Sequence, residues 1–275
     1  MRQTGYNLKI KVNDINVGYN DEGPEKAPVI ILIHGFPLNK SMWNSQVEAL
    51  KDNFRVIAYD IRGHGSTDIG AIDFSIDLFV KDLLGFMDAL MIEKTIICGL
   101  SMGGYIALNA IENYSARFTA LILSDTNCTA DSPEAIEKRM NTISSIKENG
   151  VEKLADYLIP NLFAPESFKT NSEEIAAVKE MIVTTSKQSL YNSLHALANR
   201  KETCSKLSDI KVPVLILVGE EDNITPVEAA RIMKVKIRDS NLHIIPHSGH
   251  LSNMENPYEF NMQLKKFVDK IYPQK

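Results

Sequence analysis

The segment Thr95-Ile96-Ile97-Cys98-Gly99-Leu100-Ser101-Met102-Gly103-Gly104 passes from a β-branched run, through a serine flanked by glycines, into a helical pattern reaching about Asn113. A strand that hands over to a helix at a serine, with glycine two residues to either side, predicts a tight turn that presents the hydroxyl. Side chains at 99 or 103 would collide with the turn, and Gly99 and Gly103 remove them. The helix start then turns the Met102 N–H, with the favourable end of the helix dipole, toward any negative charge developing near Ser101.

Outward from this turn the same alternation repeats. Val29–Ile33, Phe54–Tyr59, Ala120–Leu123, Val214–Val218 and Leu242–Ile245 read as further buried strands. Helical patterns occupy about 41–50, 76–90, 226–236 and 257–271. Leu8–Val12 and Ile15–Tyr19, joined by Asn13-Asp14, read as an antiparallel edge hairpin. Strand–helix alternation predicts an α/β fold with a mostly parallel, eight-stranded sheet flanked by helices. Between about 126 and 205 the strands stop and only helical stretches remain, at 132–149, 151–158, 173–184 and 189–199. Residues 1–125 and 206–275 are therefore expected to form one core, with 126–205 inserted as a helical cap.

A serine hydroxyl needs a base. Of six histidines, His250 closes Pro246-His247-Ser248-Gly249-His250 directly after the last strand, at the sheet edge where α/β chemistry collects. It is the expected base. His247 is its rival but suits turn-shaping better, and no acidic or cysteine cluster adjoins the two to make a metal pair. His243 lies within a strand, and His195 on a cap helix. Asp222, at the tip of the turn after Val214–Val218, is the expected carboxylate partner, with Glu220 and Glu221 as rivals. Asp125 reads as a hinge or capping residue, with a smaller claim to the acid role. A second oxyanion donor is expected after Val29–Ile33, where Phe36 supplies an N–H that Pro37 lacks. His34 then supports that loop, and Phe36, Leu38 and Met102 are the expected substrate contacts.

Composition narrows the partners. The 275 residues carry 30 Lys+Arg against 35 Asp+Glu, a net charge of −5, which argues against a nucleic-acid partner. No apolar run can span a bilayer, and the first eleven residues lack a signal-like apolar region. Three cysteines make a disulfide framework an unfavoured reading and favour a reducing, cytoplasmic setting; Cys128 and Cys204 flank the cap, and Cys98 reads as a small core residue. A homo-oligomer is left open but not indicated.

Taken in order, His34-Gly35-Phe36-Pro37, Asp60-Ile61-Arg62-Gly63-His64-Gly65-Ser66, Gly99–Gly104, Gly219–Asp222 and Gly249-His250 resemble the α/β-hydrolase superfamily over nearly the whole chain. The order Ser101, Asp222, His250 matches that superfamily. Serine at 101 excludes the aspartate-nucleophile dehalogenases and epoxide hydrolases. The oxyanion segment is similar to cofactor-free haloperoxidase-like aryl esterases, and the Ser101 segment to 3-oxoadipate enol-lactonases and carbon–carbon bond hydrolases; the last usually carry glycine where Pro37 stands. The resemblance implies that Arg62 and His64 hold loops, that no metal or organic cofactor is needed, and that the substrate is a small carboxylic ester or lactone. A triad-bearing ligand sensor, or a perhydrolase or carbon–carbon hydrolase on the same scaffold, are the alternatives. Tyr157, Phe163, Phe168, Tyr191, Met140 and Met181 are the candidate pocket-lining residues of the cap, with packing in the cap core as the default reading of each. Its nine Lys+Arg against eleven Asp+Glu announce no basic patch.

Overall fold

Consecutive residues of the central strands turn to opposite faces, and two separate apolar layers result. Ile31, Ile33, Ile57, Ile97 and Leu121 join one buried cluster; Ile30, Leu32, Val56, Ile96 and Ala120 join the other. Both faces are covered, so the runs Val29–Ile33, Val56–Ala58, Ile96–Cys98 and Ala120–Leu123 are apolar at every position. The computed structural model describes residues 2–71 and 73–273; of the expected core range, 1, 72, 274 and 275 lie outside it.

The hairpin strands β1 (Gly5–Val12) and β2 (Ile15–Glu22) pair antiparallel at one edge, and β2 pairs antiparallel with β4 (Arg55–Tyr59). The rest of the sheet is parallel: β3 (Val29–Ile33), β5 (Thr95–Leu100), β6 (Phe118–Ser124), β7 (Val214–Gly219) and β8 (Ser240–Ile245), in the order β1-β2-β4-β3-β5-β6-β7-β8. Helices α1 (Asn44–Leu50) and α11 (Pro257–Ile271) pack on the face of the second cluster. On the other lie α2 (Ile76–Ala89), α3 (Met102–Tyr114) and α9 (Val227–Lys236). Strand order reverses at β3, which has β4 on one side and β5 on the other. The loops leaving β3 and β5 therefore open a crevice at adjacent strand ends.

Between β6 and β7 the chain forms α4 (Pro133–Asn149), α5 (Val151–Leu162), α6 (Ser167–Thr170), α7 (Ser172–Thr184) and α8 (Lys187–Ala198). Helix α5 runs four residues beyond the expected Leu158, through Pro160. Proline removes a helical N–H there, and burial of Ile159 and Leu162 holds the last turn against that loss. A last short helix, α10 (Ser252–Glu255), follows β8.

The reading of Cys128 and Cys204 as unpaired is corrected: they form a disulfide, with Cα atoms 4.8 Å apart. They leave β6 and approach β7, which are sheet neighbours, so both ends of the insertion meet at its neck. The Thr203 N–H also donates to Cys128 O at 2.8 Å there. Fold topology, which a cysteine count does not see, makes the pair, and the composition argument for a reducing compartment falls with it. Cys98 is free and buried. Among the described residues no helix is long and apolar enough to cross a membrane.

Candidate active site

Ser101 sits between β5 and α3 at φ 53°, ψ −113°, a strained conformation for an L-residue. A Cβ on Gly99 would lie 2.1 Å from Gly103 O, and one on Gly103 2.2 Å from Ile33 O, so the turn packs backbone on backbone. The Ser101 N–H donates to Ser124 O at 3.0 Å, and Ser101 O accepts the Thr126 hydroxyl at 2.9 Å, pinning the turn to the end of β6 and the first residues beyond it. Phe36 and Met102 line the same cavity as Ser101, and neither N–H has an acceptor among the described residues. Two free donors beside a serine can stabilise an oxyanion.

Behind Phe36, His34 donates Nδ1–H to Gly35 O (2.9 Å) and accepts the Ile61 N–H on Nε2 (2.9 Å). Burial, and secondarily the neighbouring His64, pushes it down to about 3, so it stays neutral and ties two loops together. Burial likewise pushes His64 down to about 4. Arg62 is buried and paired with Asp82 and Asp14 at 2.7 Å each. All three brace the loops without lining the cavity.

His250, on the loop between β8 and α10, lines the cavity with Ser101. Its Nδ1–H donates to Asp222 Oδ2 at 2.9 Å. Asp222 is held in turn by the Ile224 and Thr225 N–H groups on Oδ1 (2.8 and 2.9 Å) and the Thr225 hydroxyl on Oδ2 (2.7 Å). Glu220 and Glu221 are exposed, and Glu220 reaches the backbone of His247 instead. His247 is itself exposed at φ 55°. His243 pairs with Glu259 at 2.6 Å, and His195 is exposed, away from the cavity. Burial by itself would lower the pKa of His250; the charge of Asp222 and its hydrogen bond, then Asp125 and Glu255, outweigh it and raise the pKa. Asp222 is the mirror case: burial opposes its charge, and His250 and the hydrogen bonds pull it below the usual carboxylate range.

Asp125 takes a position that its local sequence does not announce. It is fully buried at the end of β6, at φ 43°. Its Oδ1 accepts the Gly219 N–H (2.7 Å), and its Oδ2 faces the hydroxyls of Ser124 (2.7 Å) and Ser252 (2.5 Å). Burial, and then the charge of Asp222, push it up to about 7. Glu255 also escaped sequence reasoning. A carboxylate five residues past the candidate base has no readable signal until the chain curls back.

The cavity holds about 350 Å³. Of the six cap candidates only Tyr157 lines it; Phe163, Phe168, Tyr191, Met140 and Met181 do not. Leu38 is also corrected: its N–H closes a turn on Gly35 O (2.9 Å), and its side chain goes into the core. A wall the sequence left unannounced carries charge. Arg139 and Arg200 both reach Asp131, each at 2.5 Å, and Arg200 stacks over Tyr105, 4.4 Å from the ring centre. With Lys138 beside them, this lining carries three positive charges against the one of Asp131. No group of three His, Cys, Asp or Glu suited to a metal occurs among the described residues.

Residues 28–257 match the family model described as alpha/beta hydrolase fold. The chain is 30% identical over 267 residues to 3-oxoadipate enol-lactonase 1 of Acinetobacter baylyi, covering 97% of this chain and 95% of that protein. It superposes on a thermophilic esterase from Thermogutta terrifontis, solved with malate bound, at a TM-score of 0.92 with 31% identity, covering 96% and 99% of the two chains. The enol-lactonase of Burkholderia xenovorans LB400 superposes at a TM-score of 0.89, with 27% identity and 95% and 99% coverage.

Proposed function

This chain belongs to the alpha/beta hydrolase fold family, and on that premise we propose that it is a serine hydrolase cleaving a small carboxylic ester or lactone through an acyl-enzyme on Ser101. The observation that carries the reading is the placement of Ser101 and His250 in one cavity while Asp222 holds the far nitrogen of the imidazole. Relatives named as enol-lactonases and an esterase support the same bond type.

Ser101 Oγ attacks the carbonyl carbon and His250 Nε2 takes its proton, while Asp222 orients the ring and stabilises the imidazolium. The tetrahedral oxyanion lies between the Phe36 and Met102 N–H groups. The intermediate collapses, the C–O bond breaks, and His250 returns the proton to the leaving oxygen. Water, deprotonated by the same imidazole, then attacks the acyl-enzyme, and the acid departs with Ser101 restored. From a lactone the leaving oxygen stays tethered, and a single hydroxy acid is the product. The excess positive charge of the Arg139–Arg200–Lys138 wall supports substrates that carry a carboxylate away from the scissile bond.

Wild-type protein should turn over a p-nitrophenyl acetate ester and be labelled by a fluorophosphonate at Ser101. Ser101→Ala should lose both, with kcat down on the order of 10⁶-fold. Retention of wild-type esterase activity by Ser101→Ala sinks the assignment.

A further inference from the structure

The loop that carries His250 is fastened to the cap. The His250 N–H donates to Leu162 O, at the end of α5, at 2.9 Å. On either side, the Gly249 and Leu251 N–H groups donate to Glu255 Oε1 at 2.8 and 3.3 Å. The other oxygen of the same carboxylate, Oε2, accepts the Ala164 N–H (2.7 Å) and the Ser167 hydroxyl (2.6 Å), both cap groups just beyond α5. Three successive amides around the base thus end on the cap directly or through one side chain. The approach is close: a Cβ on Gly249 would lie 2.7 Å from Ala164 N. Glu255 is buried, so these four donors replace the water a carboxylate would otherwise hold.

We propose that Glu255 is a positioning residue that sets His250 from the cap, so that the base is placed by the same element that encloses the substrate. Leu154, Tyr157, Leu158, Asn161 and Leu162 of α5 line the cavity, and α5 is the helix whose end grips the His250 loop. A substrate that seats α5 therefore seats the base, and a loosened cap leaves Ser101 without an aligned proton acceptor. This rests on the assignment of Ser101 and His250 above.

The test is Glu255→Gln, beside Ser167→Ala, in the full chain. An amide has one acceptor oxygen, so glutamine satisfies the N–H groups of one segment and turns its own N–H toward the other. Amide hydrogen exchange read on peptides covering 162–168 and 247–253 should speed up about tenfold or more in both segments together, with the rest of the chain protected. Fluorophosphonate labelling and kcat should fall on the order of 10- to 100-fold, more than KM changes. The Glu255 carboxylate, beside the stronger influence of Asp222, raises the pKa of His250, so the acid limb of kcat/KM should move to lower pH when the Glu255 charge goes. Ser167→Ala, which leaves the His250 side of Glu255 intact, should show the same pattern more weakly. Wild-type exchange in both segments of a folded Glu255→Gln protein overturns the proposal. So does looser exchange with unchanged labelling and acid limb, which marks a structural role only. If wild-type protein proves inactive toward esters, the assignment of the reaction fails, whereas the exchange experiment still decides the coupling.

Discussion

Asp125 Oδ1 accepts the Gly219 N–H at 2.7 Å, so the carboxylate directly after β6 is bonded to the last residue of β7, three residues before Asp222. Two acidic side chains thus belong to neighbouring strand ends, and each lies close enough to His250 to raise its pKa. Only Asp222 bonds the imidazole. Their mutual repulsion is relieved by Asp125 keeping its proton below about pH 7, pushed up to about 7 by burial first and by Asp222 second.

This arrangement yields a stability prediction with a definite sign. The unfolded chain releases the Asp125 proton near 3.8, the folded chain near 7, so between those values the folded state binds more protons. Stability is then lost as pH rises across that window. Asp125→Asn keeps an acceptor for the Gly219 N–H and supplies a donor to the serine hydroxyls without a titrating charge. Thermal melts at pH 5 and pH 8 should show the variant losing less stability between the two than wild type. An equal loss in both proteins contradicts the buried, proton-holding role of Asp125.

Asp222→Asn removes the charge that orients His250 and favours its protonation. An amide that donates to Nδ1 fixes the wrong tautomer, and kcat should fall about 10⁴-fold. The residual kcat/KM should show an acid limb at lower pH than in wild type, because the largest favourable influence on the imidazolium is gone. Glu221→Gln, at an exposed side chain, should leave kcat within about twofold, since surface substitutions away from a network change little.

Arg139→Gln addresses the substrate. Arg139 lines the cavity and shares Asp131 with Arg200, whose guanidinium is further tied to Thr129 O (3.1 Å) and Leu197 O (3.0 Å). Arg139 is the less encumbered cation. Comparing a monoalkyl succinate ester with the neutral butyrate ester, the preference for the carboxylated substrate should drop by roughly tenfold, the scale of one charge-assisted hydrogen bond. A neutral-ester rate that falls equally would show lost packing instead of lost charge recognition.

Much of the architecture was legible in the chain because its determinants are local. Ile31 and Ile33 alternate with Ile30 and Leu32 to opposite apolar layers, and that alternation depends only on strand period. Gly99 answers a steric demand set within five residues of Ser101, the backbone of Gly103 and Gly104, whereas the crowding at Gly103 comes from the Ile33 and His34 carbonyls at the end of the adjacent strand. Asp222 and His250 could be nominated because strand ends in a parallel sheet converge on one edge. Local pattern was less able to rank neighbours: Leu38 sits two residues from Phe36, yet one side chain enters the core and the other lines the cavity.

What tertiary structure alone decided are the pairings between distant positions. Cys128 meets Cys204 across 76 residues because β6 and β7 are neighbours. Arg139 and Arg200 share Asp131, and Glu255 reaches Ala164 and Ser167 in the middle of the helical insertion. Each contact depends on burial and on a partner brought near by folding. A charge in the sequence has no fixed protonation state, partner or direction until the folded chain strips its water and supplies the groups that replace it. The sequence by itself named the sheet, the serine turn and the order of Ser101, Asp222 and His250; the folded chain determined which other charges surround them.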